Sequence, residues 1–106
     1  MSAIIITYRL KNEVKPADFE AWVKEHDHPT MRELARVHRF ETYRVTGLLM
    51  GEGQPSCSYV EIFEVPDLAG FTGTDLASSA VQNILSQFTG FVSMPEFLVA
   101  EAVDPT

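Results

Sequence analysis

The sequence predicts an α+β fold of order β-α-β-β-α-β, the ferredoxin-like arrangement of a four-stranded antiparallel sheet with its helices on one face. Three observations predict it. Stretches rich in β-branched and aromatic residues fall at 3–10, 37–49, 57–65 and 97–103. Apolar residues recur at helical spacing between the first and second stretches, and again between the third and fourth. The middle two stretches are separated by a short connection that contains the turn sequence GEGQPS at 51–56.

Residues 3–10 read AIIITYRL, with Ile4, Ile6, Tyr8 and Leu10 on one face and Ile5, Thr7 and Arg9 on the other. Pro16 suits the first turn of a helix, where its missing N–H costs nothing. Asp18 and Glu20 lie near the positive end of that helix. Phe19, Trp22, Val23 and His26 then share one helical face. Pro29 interrupts the pattern and predicts a kink or short break at 27–29, with His28 extended before it. A second helical piece at 30–35 turns Met31 and Leu34 inward.

In 37–49, Val37, Arg39, Glu41, Tyr43 and Val45 alternate with His38, Phe40, Thr42 and Arg44, and Gly47 marks a bulge. In 57–65, Tyr59, Glu61 and Phe63 oppose Val60 and Ile62. Asp67 caps a short turn holding Leu68 and Phe71. Thr74 or Asp75 caps the main second helix, which runs through Val81, Ile84, Leu85 and Phe88 to a stop at Gly90. Pro95 breaks the chain before the strand at 97–103.

The 106 residues make a single domain, 1–106. The 8 basic and 15 acidic residues leave a net charge of −7, which argues against nucleic acid and anionic lipid as partners. No apolar run reaches the ~18 residues of a membrane span, and no signal-peptide pattern opens the chain. The expectation is a cytoplasmic protein. Its one cysteine, Cys57, follows a turn with no adjacent cation and reads as an inert thiol.

With the helices on one face, the other face of the sheet keeps large apolar side chains whichever parity holds. Phe63, Phe97, Val99 and Tyr43, or their partners, are the candidates. A second copy burying that patch makes a homodimer, its two sheets packed as a shared barrel.

His26 stands out for catalysis because it falls on the apolar helical face and imidazole is the side chain suited to acid/base work near neutral pH; a core or boundary histidine bonded to a backbone carbonyl at the helix end is the alternative. Asp27, at the expected break, is either a general base, the partner that orients a histidine, or a helix cap. His28 is a loop histidine near the same site. The His-Asp-His run invites a metal, but consecutive side chains diverge and no further ligands accompany them, so no metal is expected. Tyr8, Tyr43 and Tyr59, together with Trp22, suit the lining of an aromatic ligand pocket and equally a sheet core. Glu61 lies between Tyr59 and Phe63 and has a raised pKa if buried unpaired; pairing with Arg9 or Arg44 is the alternative. Glu101 carries the same ambiguity. No phosphate loop, dinucleotide fingerprint or hydrolase elbow occurs, and no cofactor is implied.

FEAWVKEHDHPTM at 19–31, followed by FETYRVTGLLMG at 40–51, resembles the dimeric α/β-barrel superfamily. The Phe-x-x-Trp helix, ending two residues before a proline, is similar to the EthD-like branch. There the position two before the proline is usually histidine; here it is Asp27, flanked by His26 and His28. Over nearly its whole length the chain resembles the RedY-like (HapK) family. That resemblance implies pyrrole or indole natural-product biosynthesis, prodigiosin-type pigments among its products, and an aromatic small-molecule ligand. Three functions are open: a cofactor-independent enzyme of cyclisation, condensation or dehydration, a non-catalytic binding or stabilising protein of the same pathway, and a cofactor-free monooxygenase.

Overall fold

The computed structural model describes residues 2–104. The chain runs β1 (Ser2–Leu10), α1 (Pro16–Trp22), a π-helical turn (Val23–Asp27), α2 (His28–Arg32), β2 (Arg39–Arg44) and β3 (Tyr59–Glu64). It continues through α3 (Leu68–Gly70), a second π-helical turn (Phe71–Asp75), α4 (Ser79–Phe91) and β4 (Val92–Glu101). The strands pair antiparallel in the order β2-β3-β1-β4. This is the ferredoxin-like fold that the order of elements implies.

The register fixes the parity of the sheet. Phe97, Ile6, Glu61 and Thr42 form one row across the four strands, and Val99, Ile4, Phe63 and Phe40 the next. Phe40, Phe63 and Ile6 are buried with Phe19, Val81 and Phe88, so these rows face the helices. The opposite face carries Leu98, Ile5, Ile62 and Glu41 in one row and Thr7, Val60 and Tyr43 in another. Of the four candidates for the uncovered face, only Tyr43 lies there; Phe63, Phe97 and Val99 face the helices.

Several boundaries differ from expectation. Pro16 opens α1 as anticipated. No break follows at 27–29. His28 is helical, with φ −59° and ψ −48°, and its N–H donates to the Val23 carbonyl five residues back. A proline inside a helix loses one hydrogen bond and crowds the carbonyl four residues earlier. The π turn ahead of Pro29 absorbs that conflict without ending the helix. The second piece is therefore His28–Arg32, not 30–35.

β2 stops at Arg44, and Gly47 lies in the connection to β3 with no bulge. Asp67 caps α3 by accepting from the Gly70 N–H at 3.0 Å. The cap of α4 is Ser78, which accepts from the Val81 N–H, and neither Thr74 nor Asp75 serves. Gly90 lies inside α4, which ends at Phe91. Pro95 lies within β4, which begins at Val92 rather than 97. The edge position of β4 explains this, because a proline there leaves no central ladder bond unmade. Beside it Met94 takes φ 54°, and the pairing with β1 shifts register between Thr7 and Arg9.

Candidate functional site

A cavity of about 390 Å3 lies between the helix-facing side of the sheet and the helices. Its wall is apolar, built from Ile4, Ile6 and Phe63 of the sheet and Phe71, Ile84 and Phe88 of the helices, among others. Phe97 and Val99 of the edge strand belong to it and stay 50% and 64% exposed. Two carboxyl groups enter this lining, Asp27 and Glu61. Both residues are buried, 3% and 2% exposed.

The π turn delivers Asp27. An α-helical continuation from Phe19, Trp22 and Val23 brings His26 inward. A π turn holds one residue more, so the inward position passes to Asp27 and then to Met31. His26 is exposed, which corrects its expected place on the apolar face. Glu61 comes from the middle of β3, between Ile6 and Thr42 in the register. It pairs with neither Arg9 nor Arg44. The Tyr8 hydroxyl donates to Glu61 Oε2 instead. Tyr8 stacks on Tyr59 and meets Phe19 and Phe88 edge-on, which fixes its ring.

The electrostatics follow from burial. Desolvation raises the Glu61 pKa well above the ordinary carboxyl range, the Asp27 charge adds to this, and the Tyr8 hydrogen bond offsets part of it. Desolvation likewise raises Asp27, against the pull of Arg32. Asp27 Oδ2 is buried with no hydrogen-bond partner. Two nearby carboxyls in an apolar wall do not both ionise readily, so the pair holds a proton near neutrality. Burial and then the Glu61 charge raise the Tyr8 phenol, which stays a donor.

The remaining expected site residues lie elsewhere. His28 packs edge-on against Phe40, and its Nε2 is 2.8 Å from Thr42 Oγ1. Burial and Arg32 lower its pKa. It lines a second, more polar depression with Glu20, Lys24, Arg44, Tyr43 and Tyr59. There Glu20 accepts from Arg44 at 2.5 and 2.7 Å and from the Tyr59 hydroxyl at 2.7 Å. The Arg44 bonds, then that of Tyr59, hold Glu20 down at about 2. Tyr43 is 48% exposed and stands apart from the main cavity. Trp22 is buried, donates to Gln87 Oε1 at 2.6 Å, and packs on Phe19 and Phe91. Glu101 is exposed. The structure thus brings together Tyr8, Asp27 and Glu61 and separates His26, His28, Trp22 and Tyr43 from them.

Helical spacing marks Ile84, Leu85 and Phe88 of the cavity wall, and the short turn after Asp67 marks Phe71, but nothing in the sequence marks Thr72. The second π turn, closed by the Leu76 N–H on the Phe71 carbonyl at 2.8 Å, aims Phe71 and Thr72 into the cavity. The FTGTD sequence carries no strong helical period there, so the signal was weak.

The family model described as REDY-like protein HapK matches residues 2–103. The chain belongs to the REDY-like HapK family. The crystal structure of HapK from Hahella chejuensis superposes with a TM-score of 0.80 at 27% identity, covering 100% of this chain and 96% of that one. An EthD family protein from Bacillus halodurans shares the fold at TM-score 0.72 and 16% identity, over 97% and 100% of the two chains. A dimeric ferredoxin-like protein from Thermobifida fusca does so at TM-score 0.75 and 11% identity, over 95% and 90%. Among curated proteins none matches the sequence. The position two before the proline, which opens the resemblance to EthD-like proteins, is in this HapK-family chain the residue that the π turn buries.

Proposed function

We propose that this HapK-family protein is a small cofactor-independent enzyme of pyrrole- or indole-type natural-product biosynthesis. It works as a cytoplasmic homodimer and catalyses a cyclisation, condensation or dehydration of an aromatic intermediate by acid/base chemistry. The observation that carries the reading is the pair Asp27 and Glu61, two buried carboxyls sharing an otherwise apolar cavity of about 390 Å3. Such volumes suit a small organic ligand.

A carboxyl pair with raised pKa values supplies an acid and a base at one pH. Asp27, with an unpartnered oxygen, takes or gives the proton at the substrate. Glu61, held by the Tyr8 hydroxyl, keeps its place as the second member. The apolar wall excludes water and holds the aromatic body, so the reacting atoms meet in one orientation. His26 and His28 take no part in the proton transfer.

The family supports the biosynthetic setting, and the burial of the pair supports the chemistry. Incubation of the wild type, Asp27→Asn and Glu61→Gln with pyrrole and indole pathway intermediates tests it. Loss of turnover by about 100-fold or more in either variant is the expected result. Unchanged product formation in both, with ligand binding retained, overturns it in favour of a non-catalytic binding protein.

A further inference from the structure

We propose that the ligand of this cavity carries a planar, positively charged nitrogen group with at least two N–H donors, of the amidine or amino-heterocycle type, seated between Asp27 and Glu61. The inference rests on the cavity being the ligand site, as in the function proposed above, and adds the charge and shape of what binds.

Among the described residues, the two carboxyls of the cavity lack a cationic partner. The ion pairs of these residues join Arg32 to Glu41, Arg36 to Asp67 and Asp75, Arg39 to Glu64 and Arg44 to Glu20. None reaches Asp27 or Glu61. Arg32, the cation whose field does reach Asp27, spends its donors on the Phe40 carbonyl at 2.7 and 3.1 Å and on Glu41. Tyr8 contributes one neutral donor, to Glu61. Asp27 Oδ2 contributes a buried acceptor with nothing to accept from.

A carboxyl pair that retains one proton carries one negative charge. In an apolar wall that charge attracts a cation more strongly than in water, and a buried acceptor without a donor is costly until one arrives. A ligand with two N–H groups on one edge meets both carboxyls. A delocalised cation is also more weakly hydrated than an alkylammonium ion, so it surrenders less on entering a dry cavity. The rings of Phe71, Phe88 and Phe97 favour a flat body behind that edge.

Calorimetric titration of the full chain at neutral pH with 2-aminobenzimidazole and with indole tests this. The two probes share a fused-ring shape and differ in the amidine-like edge. Indole binding reports whether the cavity takes a flat ligand, and the ratio of the two affinities reports the charge preference. The expected result is that 2-aminobenzimidazole binds at least about tenfold more tightly than indole. That preference should fall below about threefold in Glu61→Gln and in Asp27→Asn, with indole affinity kept. Equal or tighter binding of indole by the wild type overturns the proposal and leaves the cavity as the ligand site. A preference undiminished in both variants also overturns it. Failure of both probes to bind overturns the cavity as ligand site together with this inference. The wild-type comparison stands even if a variant misfolds.

Discussion

Tyr8 of β1 pairs with Tyr59 across the sheet but donates its hydroxyl to Glu61, the helix-facing neighbour two residues further along β3. This diagonal reach holds a buried carboxyl in place from its own sheet, leaving its outer side to the cavity. Replacing Tyr8 by Phe removes the donor and leaves the acceptor buried. The expected cost is about 1–3 kcal/mol of stability. Losing that hydrogen bond also raises the Glu61 pKa further, because the bond lowers it in the native protein. Denaturant melts and the pH dependence of turnover check the two effects separately.

The buried carboxyl pair should make stability fall as pH rises through neutrality. Asp27 and Glu61 have folded pKa values above their unfolded ones, so the native chain keeps protons that the unfolded chain has released. Their contribution is fully present below the unfolded carboxyl pKa of about 4 and is lost as pH rises through neutrality. Glu20 and Asp67 are lowered and act oppositely, contributing above the ordinary range and losing that contribution in acid. Glu61→Gln should flatten the alkaline limb of a stability-against-pH curve, measured by urea unfolding.

His26→Ala should leave both stability and turnover near wild type, within about 0.5 kcal/mol for the former. The side chain is exposed, beside the buried Asp27. Parallel thermal melts and activity assays of His26→Ala and Asp27→Asn separate the two neighbours.

The proposed homodimer uses the uncovered face of the sheet. The row Leu98, Ile5, Ile62 and the row Thr7, Val60, Tyr43 form one patch, which a second copy buries in the proposed dimer. Ile62→Asp should convert a dimer to a species of 11.9 kDa without unfolding it, as read by sedimentation equilibrium. A wild type that sediments as a single chain at micromolar concentration contradicts the dimer.

The order of elements was legible because β-branched runs and helical spacing point to the same answer throughout. Sheet parity was not, because both faces of β1 and β3 carry isoleucine, valine or aromatic residues. The site was half legible. Glu61 among aromatics was readable as a carboxyl whose pKa rises if buried, with pairing to Arg9 or Arg44 left open, and Asp27 as a residue two before the proline. The choice between His26 and Asp27 turned on one extra residue in a helical turn, which a reading at 3.6 residues per turn does not see. The cap of α4 went unread for a similar reason: a second π turn holds Thr74 and Asp75 within it, so the helix starts later, at Ser79.

The most direct test of the carboxyl pair is titration of its carbons. Carbon-13 NMR of the Asp and Glu side-chain carboxyls, followed from about pH 3 to 9, reads each group by itself. The Asp27 and Glu61 resonances should titrate as a coupled pair well above the other carboxyls, and Asp27→Asn should bring Glu61 down. Two independent titrations at the ordinary value of about 4 would contradict it.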